Sequence, residues 1–204
     1  VPVTDLAKKA GGIAANWHQN PSRQMRVIGI TGTNGKTTVS QWIANALHTQ
    51  KQPSAVVGTL GAGLLDQIKP TGFTTPDAAR LQSLLKEIKD QGAISVAMEV
   101  SSHALDQGRV NGTYLDTAIV TNLSQDHLDY HLTMENYFQA KANLFVTEYA
   151  KVAVINIDDS YGKKLSKQVR IPVLTVSRKD VSADWYLAKA EIKNGLYQVE
   201  IKRK

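Results

Sequence analysis

Cysteine is absent from all 204 residues. That excludes disulfides and thiolate metal sites within the chain and fits a reducing compartment, with the cytoplasm the expected location. Long apolar runs are missing too: none approaches the roughly 18 residues that a bilayer-spanning helix requires, so no membrane partner is expected. Basic clusters are scarce although lysine and arginine outnumber aspartate and glutamate by 24 to 18, a net charge of +6. The longest basic run is Lys202-Arg203-Lys204. A surface that follows a nucleic-acid backbone gathers about 6–10 basic contacts on one face, so a nucleic-acid partner is not expected either. Internal repeats and low-complexity linkers are also lacking. Hydrophobic residues, at 42%, suffice for a proper core, which argues against disorder.

What is present alternates between strand-like and helix-like patterns. Thr4 is placed to cap a helix whose apolar residues Leu6, Ala10, Ile13 and Trp17 follow helical spacing, weakened by Gly11-Gly12. Strands are expected at residues 25–31, 54–60, 94–100, 117–121, 152–157 and 172–176. Helices are expected at residues 37–49, 77–92, 134–149 and 159–169. Residues 61–76 read as a long loop rich in Gly, Pro and Thr. Such alternation predicts an α/β fold, a mostly parallel sheet with helices on both faces. Near the C-terminus, LAKAEIKNGLYQVEIK alternates apolar and polar residues around Asn194-Gly195, which predicts a small antiparallel hairpin.

The stretch ITGTNGKTT, Ile30 to Thr38, closes the first of these strands and opens a helix. Gly32 and Gly35 let the backbone turn tightly, Lys36 adds a mobile positive charge, and the helix presents its positive dipole end to an anion. Thr37 puts a hydroxyl where a phosphate-bound magnesium ion takes a ligand. Gly32, Thr33, Asn34, Gly35, Lys36, Thr37 and Thr38 are therefore the candidate ATP-phosphate loop, as in P-loop NTPases. The usual pattern G-x-x-x-x-G-K-[ST] has glycine where Ile30 stands, and the plainer alternative is a glycine turn with an incidental lysine.

Other polar residues stand where chemistry is plausible. Glu99 lies near the carboxyl end of a strand, where open α/β sheets place ligands. An acid there is costly to bury unless paired or metal-bound, so it either reaches solvent or holds a cation such as magnesium. His127 and His131 are four apart, but no helix is expected there and cysteine is lacking, so zinc is not expected. His131, Asp129 and His103 read as loop hydrogen-bonding residues, His18 and His48 as surface residues. Lys141, on an amphipathic helix, reads by itself as a solvated lysine.

Taken in order, GTNGKTT, GTLG, FTTPDA, MEVSSHALDQGRV, TNLSQDHLDYH and AKANLF resemble the Mur ligase family over nearly the whole chain. The family has isoleucine or valine where Ile30 stands. The wording of these motifs is most similar to the branch that adds the third peptide residue to a cell-wall precursor. The resemblance implies a central ATP-binding domain over residues 1–204, stopping short of that domain's end. It also implies that an N-terminal uridine-nucleotide domain and a C-terminal ligase domain are absent. The activity implied is an ADP-forming amide ligase of peptidoglycan synthesis. It would join meso-diaminopimelate or lysine to UDP-N-acetylmuramoyl-L-alanyl-D-glutamate through an acyl phosphate, with ATP as co-substrate and Mg2+ as cofactor. The isolated piece is expected to be inactive, because catalysis depends on holding all reactants in attack geometry.

Residue by residue, the resemblance implies catalytic roles for Lys36, His127 and Lys141. Metal ligation falls to Thr37, Glu99, His127 and Lys141, the last carboxylated on its amine. A lysine reacts with carbon dioxide only when deprotonated, which a desolvated site favours. Substrate binding falls to Thr74, Thr75, Ser101, Gln107 and Arg109. Where Phe73 stands many family members have asparagine against the substrate, so that contact is open and a loop repacked around the ring is one outcome. Two other readings remain: a non-catalytic nucleotide-binding switch, and another Mur or folylpolyglutamate synthetase-like ligase. The switch gives Glu99, His127 and Lys141 no reason to converge.

Overall fold

The computed structural model describes residues 4–146 and 149–204. Among them nine strands form one sheet: β1 (Arg26–Thr31), β2 (Ser54–Gly58), β3 (Gly61–Leu64), β4 (Ser95–Glu99), β5 (Leu115–Val120), β6 (Ala150–Asn156), β7 (Val173–Ser177), β8 (Trp185–Lys193) and β9 (Leu196–Arg203). Their order is β3-β2-β4-β1-β5-β6-β7-β8-β9. Every pairing from β2 across to β8 is parallel, and the two edges, β3 and β9, are antiparallel. The helices are α1 (Leu6–Trp17), α2 (Lys36–Thr49), α3 (Ala78–Asp90), α4 (Ser102–Asp106), α5 (Leu128–His131), α6 (Met134–Ala142) and α7 (Ser160–Gln168).

Strand periodicity sends neighbouring side chains of β1 into different cores. Ile28 and Ile30 join Val56 and Ala97 beneath α2, which contributes Ala44, Val39, Ile43 and Leu47. Val27 joins Val57, Val96 and Met98 in the larger cluster, where α3 supplies Leu81, Leu84, Leu85 and Ile88 and α6 supplies Tyr137 and Phe138. The expected α/β class, with a parallel sheet and a terminal hairpin, is what forms. β1 lies between β4 and β5, so the chain crosses from one side of β1 to the other and opens a crevice at their carboxyl ends.

Several local expectations are corrected. Thr4 does not cap α1: the residue before the helix is Asp5, left-handed and without a side-chain cap bond, while the Thr4 hydroxyl accepts from Lys9 Nζ at 3.5 Å. The stripe of Leu6, Ile13 and Trp17 is exposed, and α1 buries Gly11 and Ala15 instead. A Cβ on Gly11 would come within 1.9 Å of the Asn111 carbonyl oxygen, so the glycine that weakens the helix is also what lets it dock.

The second strand ends at Gly58 rather than at residue 60, because the Thr59 amide turns to Glu99. The loop over residues 61–76 contains β3, a strand without apolar alternation, paired along β2. A short helix, α5, occupies the segment expected to be helix-free. The helix expected over residues 134–149 ends at Ala142 and continues as a 3-10 turn, Asn143–Phe145; residues 147 and 148 of that expectation lie outside the described residues.

Candidate nucleotide-binding site

The loop between β1 and α2 turns on two glycines in left-handed or similar backbone, Gly32 at φ 145° and Gly35 at φ 86°. A Cβ on Gly32 would meet Thr121 Oγ1 at 1.9 Å, so only glycine fits. The residues after β5 brace the loop. Thr33 N donates to the Asn122 carbonyl at 3.0 Å and Asn34 N to Asn122 Oδ1 at 3.0 Å. Thr121 Oγ1 and Asn122 Nδ2 both donate to the Asn34 carbonyl. The amides of Thr33 and Asn34 thus point into the protein.

What remains for an anion is the first turn of α2, whose amides have no partner within the helix. Side-chain oxygens of Asp77, Ser101, Thr133 and Asp159 cap α3, α4, α6 and α7, whereas no side chain caps α2 at Gly35. A fourteen-residue helix open at this end is a ready anion site. Lys36 Nζ folds back onto the carbonyls of Gly32 and Thr33 at 2.9 and 3.0 Å. Burial holds its amine below the usual lysine range, against the opposing pull of Glu99 and Asp126. Thr38 is exposed beside it.

Glu99 does not reach solvent: it is 1% exposed. Its Oε2 accepts from Thr37 Oγ1 at 2.9 Å and Thr59 Oγ1 at 3.1 Å, and its Oε1 accepts from Thr59 N at 2.9 Å. Gly58 makes room, since a Cβ there would lie 2.1 Å from Glu99 Oε1. A buried carboxylate touching the hydroxyl of the phosphate loop is an oxygen donor set that suits a hard cation. Among the described residues no three His, Asp or Glu side chains gather into a metal cage. Magnesium takes oxygen donors such as Glu99 and Thr37 and keeps water and phosphate oxygens among its ligands.

Lys141 overturns its solvated reading. It is 3% exposed, with Nζ donating to the Gly32 carbonyl at 3.0 Å and lying 4.6 Å from the centre of the Tyr137 ring. Burial first, then the Lys36 charge, lowers its pKa to about 7. The carbonyl of Gly32 therefore receives both lysines. His127, at φ 51° before α5, touches Asp126 at 3.5 Å and stands edge-on to Tyr137 and to His103. His127 and Lys141 are gathered around Tyr137, while Glu99 joins the loop through Thr37. His131 is buried, with Nε2 at 2.9 Å from Ser102 Oγ.

Of the five residues expected to hold the second substrate, Thr74, Ser101, Gln107 and Arg109 are at least partly exposed, whereas Thr75 is buried. Thr74 Oγ1 lies 3.0 Å from Thr59 Oγ1. Thr75 faces inward, its hydroxyl donating to the Glu99 carbonyl and accepting from Ser101 N; that oxygen is committed to the protein. Ser101 Oγ caps α4 through Ala104 N. Arg109 forks Nε and Nη2 onto Gln107 Oε1 and sends Nη1 to the Thr75 carbonyl, so these contacts give its charge only neutral oxygens. Phe73 is 62% exposed, so the loop has not repacked around the ring. Sequence reasoning missed Thr59, Thr121, Asn122 and Tyr137. The polar TNLS following β5 was the available signal for two of them.

Strand, glycine loop, open helix and buried carboxylate together define a P-loop-type α/β domain. The family model described as Mur ligase middle domain matches residues 30–203. The chain belongs to the Mur ligase family. It is 53% identical over 177 residues to a UDP-N-acetylmuramoyl-L-alanyl-D-glutamate–2,6-diaminopimelate ligase of Ralstonia nicotianae, covering 86% of this chain and 34% of that protein. The protein of the same name in Ectopseudomonas mendocina is 46% identical over 192 residues, 94% of this chain and 39% of its own. A solved structure of a ligase so named superposes with a TM-score of 0.89 at 38% identity, covering 98% of this chain and 42% of that one. A folylpolyglutamate synthase of Mycobacterium tuberculosis shares the fold, with a TM-score of 0.74 at 15% identity, covering 96% of this chain and 51% of its own. The chain thus spans little more than a third of the length of the curated relatives it matches.

Proposed function

We propose that this chain is the central ATP-binding domain of an ADP-forming ligase that extends UDP-N-acetylmuramoyl-L-alanyl-D-glutamate by one amino acid in peptidoglycan synthesis. Of the two amino acids left open by sequence, the names of the relatives support 2,6-diaminopimelate. The observation that carries the reading is the buried Glu99 carboxylate bonded to Thr37 of an uncapped phosphate loop. A regulatory switch would give no purpose to a second buried lysine at the same loop carbonyl.

In the reaction, a carboxylate of the dipeptide substrate attacks the γ-phosphorus of ATP. The bond to the β,γ-bridging oxygen breaks, and ADP leaves an acyl phosphate behind. The amine of the incoming amino acid then adds to the acyl carbon and expels phosphate, losing a proton as the amide forms. Lys36 and the first-turn amides of α2 orient the phosphates and meet the charge that builds on them. Thr37 and Glu99, with His127 and carboxylated Lys141, would hold Mg2+, which when bound neutralises phosphate charge. Lys141 suits carboxylation: near pH 7 about half of its amine is neutral and can add to carbon dioxide with loss of one proton. Arg109 and Gln107, with Thr74 and Ser101, bind the anionic muramoyl-peptide, the Arg109 fork matching a carboxylate or phosphate. Thr75 supports Ser101 and Arg109 through its own hydrogen bonds.

The test uses the intact ligase that carries this chain. Phosphate release should require ATP, the UDP-linked dipeptide and 2,6-diaminopimelate together. Lysine should substitute poorly. Release that is indifferent to the dipeptide would overturn the assignment.

A further inference from the structure

The site holds one fully buried aromatic ring that no step above uses. Tyr137, in α6, is 0% exposed. Its hydroxyl lies 3.2 Å from Thr33 Oγ1. Thr33 already donates its single proton to the Ser124 carbonyl at 3.1 Å, while accepting from Ser124 N at 3.0 Å. With that proton spent, Tyr137 must be the donor to Thr33. The face of the same ring lies 4.6 Å from Lys141 Nζ, and His127 and His131 stand 6.0 and 5.2 Å away between ring centroids, the first edge-on and the second tilted.

We infer that Tyr137 is a positioning residue for the nucleotide site, acting through Thr33 and Lys141. Its hydroxyl ties the phosphate loop to α6, and its ring sets the Lys141 arm against the Gly32 carbonyl. The inference deepens the ligase reading and rests on it. A phenol suits the position because its flat face packs beneath the Lys141 arm while its hydroxyl donates to Thr33. Phenylalanine would keep the first function and lose the second. Leucine would lose both.

Binding of a fluorescent ATP analogue with magnesium to the intact ligase reads out the hydroxyl. Tyr137→Phe should weaken binding about 3- to 10-fold, the effect of one neutral hydrogen bond. Thr33→Val, which also removes both bonds to Ser124, should weaken binding at least as much, and the double variant should bind no worse than Thr33→Val alone, because the Tyr137 hydroxyl bond is already lost with Thr33. Affinity within about twofold of the parent for Tyr137→Phe, or additive losses in the double variant, would overturn the inference. A purely structural tyrosine would lower Tm and leave affinity, measured well below Tm, unchanged. Tyr137→Leu should slow phosphate release at saturating nucleotide at least about threefold beyond Tyr137→Phe, through the lost flat ring beneath the Lys141 arm. Equal rates for the two would remove the ring from the claim. If Tyr137→Leu does not fold, the Phe and Val variants decide. Phosphate release by the parent judges the ligase reading, whereas nucleotide affinity judges the tyrosine, so the two can fail separately.

Discussion

Around β1, the polar side chains Thr31, Thr33, Thr75, Glu99 and Lys141 are buried, while in the β8–β9 hairpin the apolar Ile192, Tyr197, Val199 and Ile201 are exposed at 60% or more. The first arrangement is held by partners distant in sequence. Thr37 reaches Glu99 across 62 residues, Tyr137 reaches Thr33 across 104, and Lys141 reaches Gly32 across 109. The second is held by its own ladder and by a turn in which Asn194 and Gly195 both adopt positive φ, 52° and 75°, as a two-residue hairpin turn demands. Burying a polar group is tolerable only when every bond it had with water is replaced. The chemistry therefore sits where the contacts are long-range, and the hairpin can form without them.

Substitutions at the two places should differ accordingly. Lys36→Ala should have the largest effect, lowering phosphate release by the intact ligase about 10²- to 10³-fold, as loss of one charge-stabilising donor does. Its circular dichroism should match the parent, and near-normal turnover would refute the loop's role.

Lys141→Met should act next, on stability. In the folded chain the amine has a pKa of about 7, against an ordinary value of 10.5. Between those values the unfolded chain binds the extra proton, so the parent gains stability from this side chain as pH rises. The penalty is complete below about 7. At about 1.4 kcal/mol per unit, methionine should stabilise the fold by a few kcal/mol at pH 6 and progressively less toward pH 10. Thermal melts in carbon-dioxide-free buffer check this, and a difference constant with pH would contradict it.

Gly58→Ala places a methyl 2.1 Å from Glu99 Oε1 and should cost about 1–3 kcal/mol, with Tm lower by several degrees. Magnesium-dependent nucleotide binding should fall with it, and an unchanged melting curve would show that Glu99 is freer than its three bonds suggest. Val199→Thr, on the exposed hairpin face, should shift stability by less than about 0.5 kcal/mol. A larger loss in a denaturant titration would mean that this face is covered in solution.

Much of the site's outline could be read before any coordinates. Strand, glycine loop, Lys36 and Thr37 follow one another in the chain, so their geometry is local. Glu99 was legible as the odd acid in an apolar strand, although whether it faced solvent was not. Lys141 could not be read from local pattern, since α6 looks like any amphipathic helix and only Gly32 and Tyr137 show that this lysine points inward. The same holds for β3, whose glycines carry no alternation and become a strand by pairing with β2. Leu6, Ile13 and Trp17 erred the other way: helical spacing marks a stripe, but the neighbour that would cover it is a tertiary matter.

By itself, then, the order of residues determined the α/β alternation, the phosphate loop and the Asn194-Gly195 turn, because backbone conformation at glycine, asparagine and helix starts depends on immediate neighbours. Tertiary structure alone decided that Glu99 and Lys141 are buried, that both lysines share the Gly32 carbonyl, and that Tyr137 joins them. Burial and pKa depend on which groups replace water, and those groups come from strands and helices far apart in the chain.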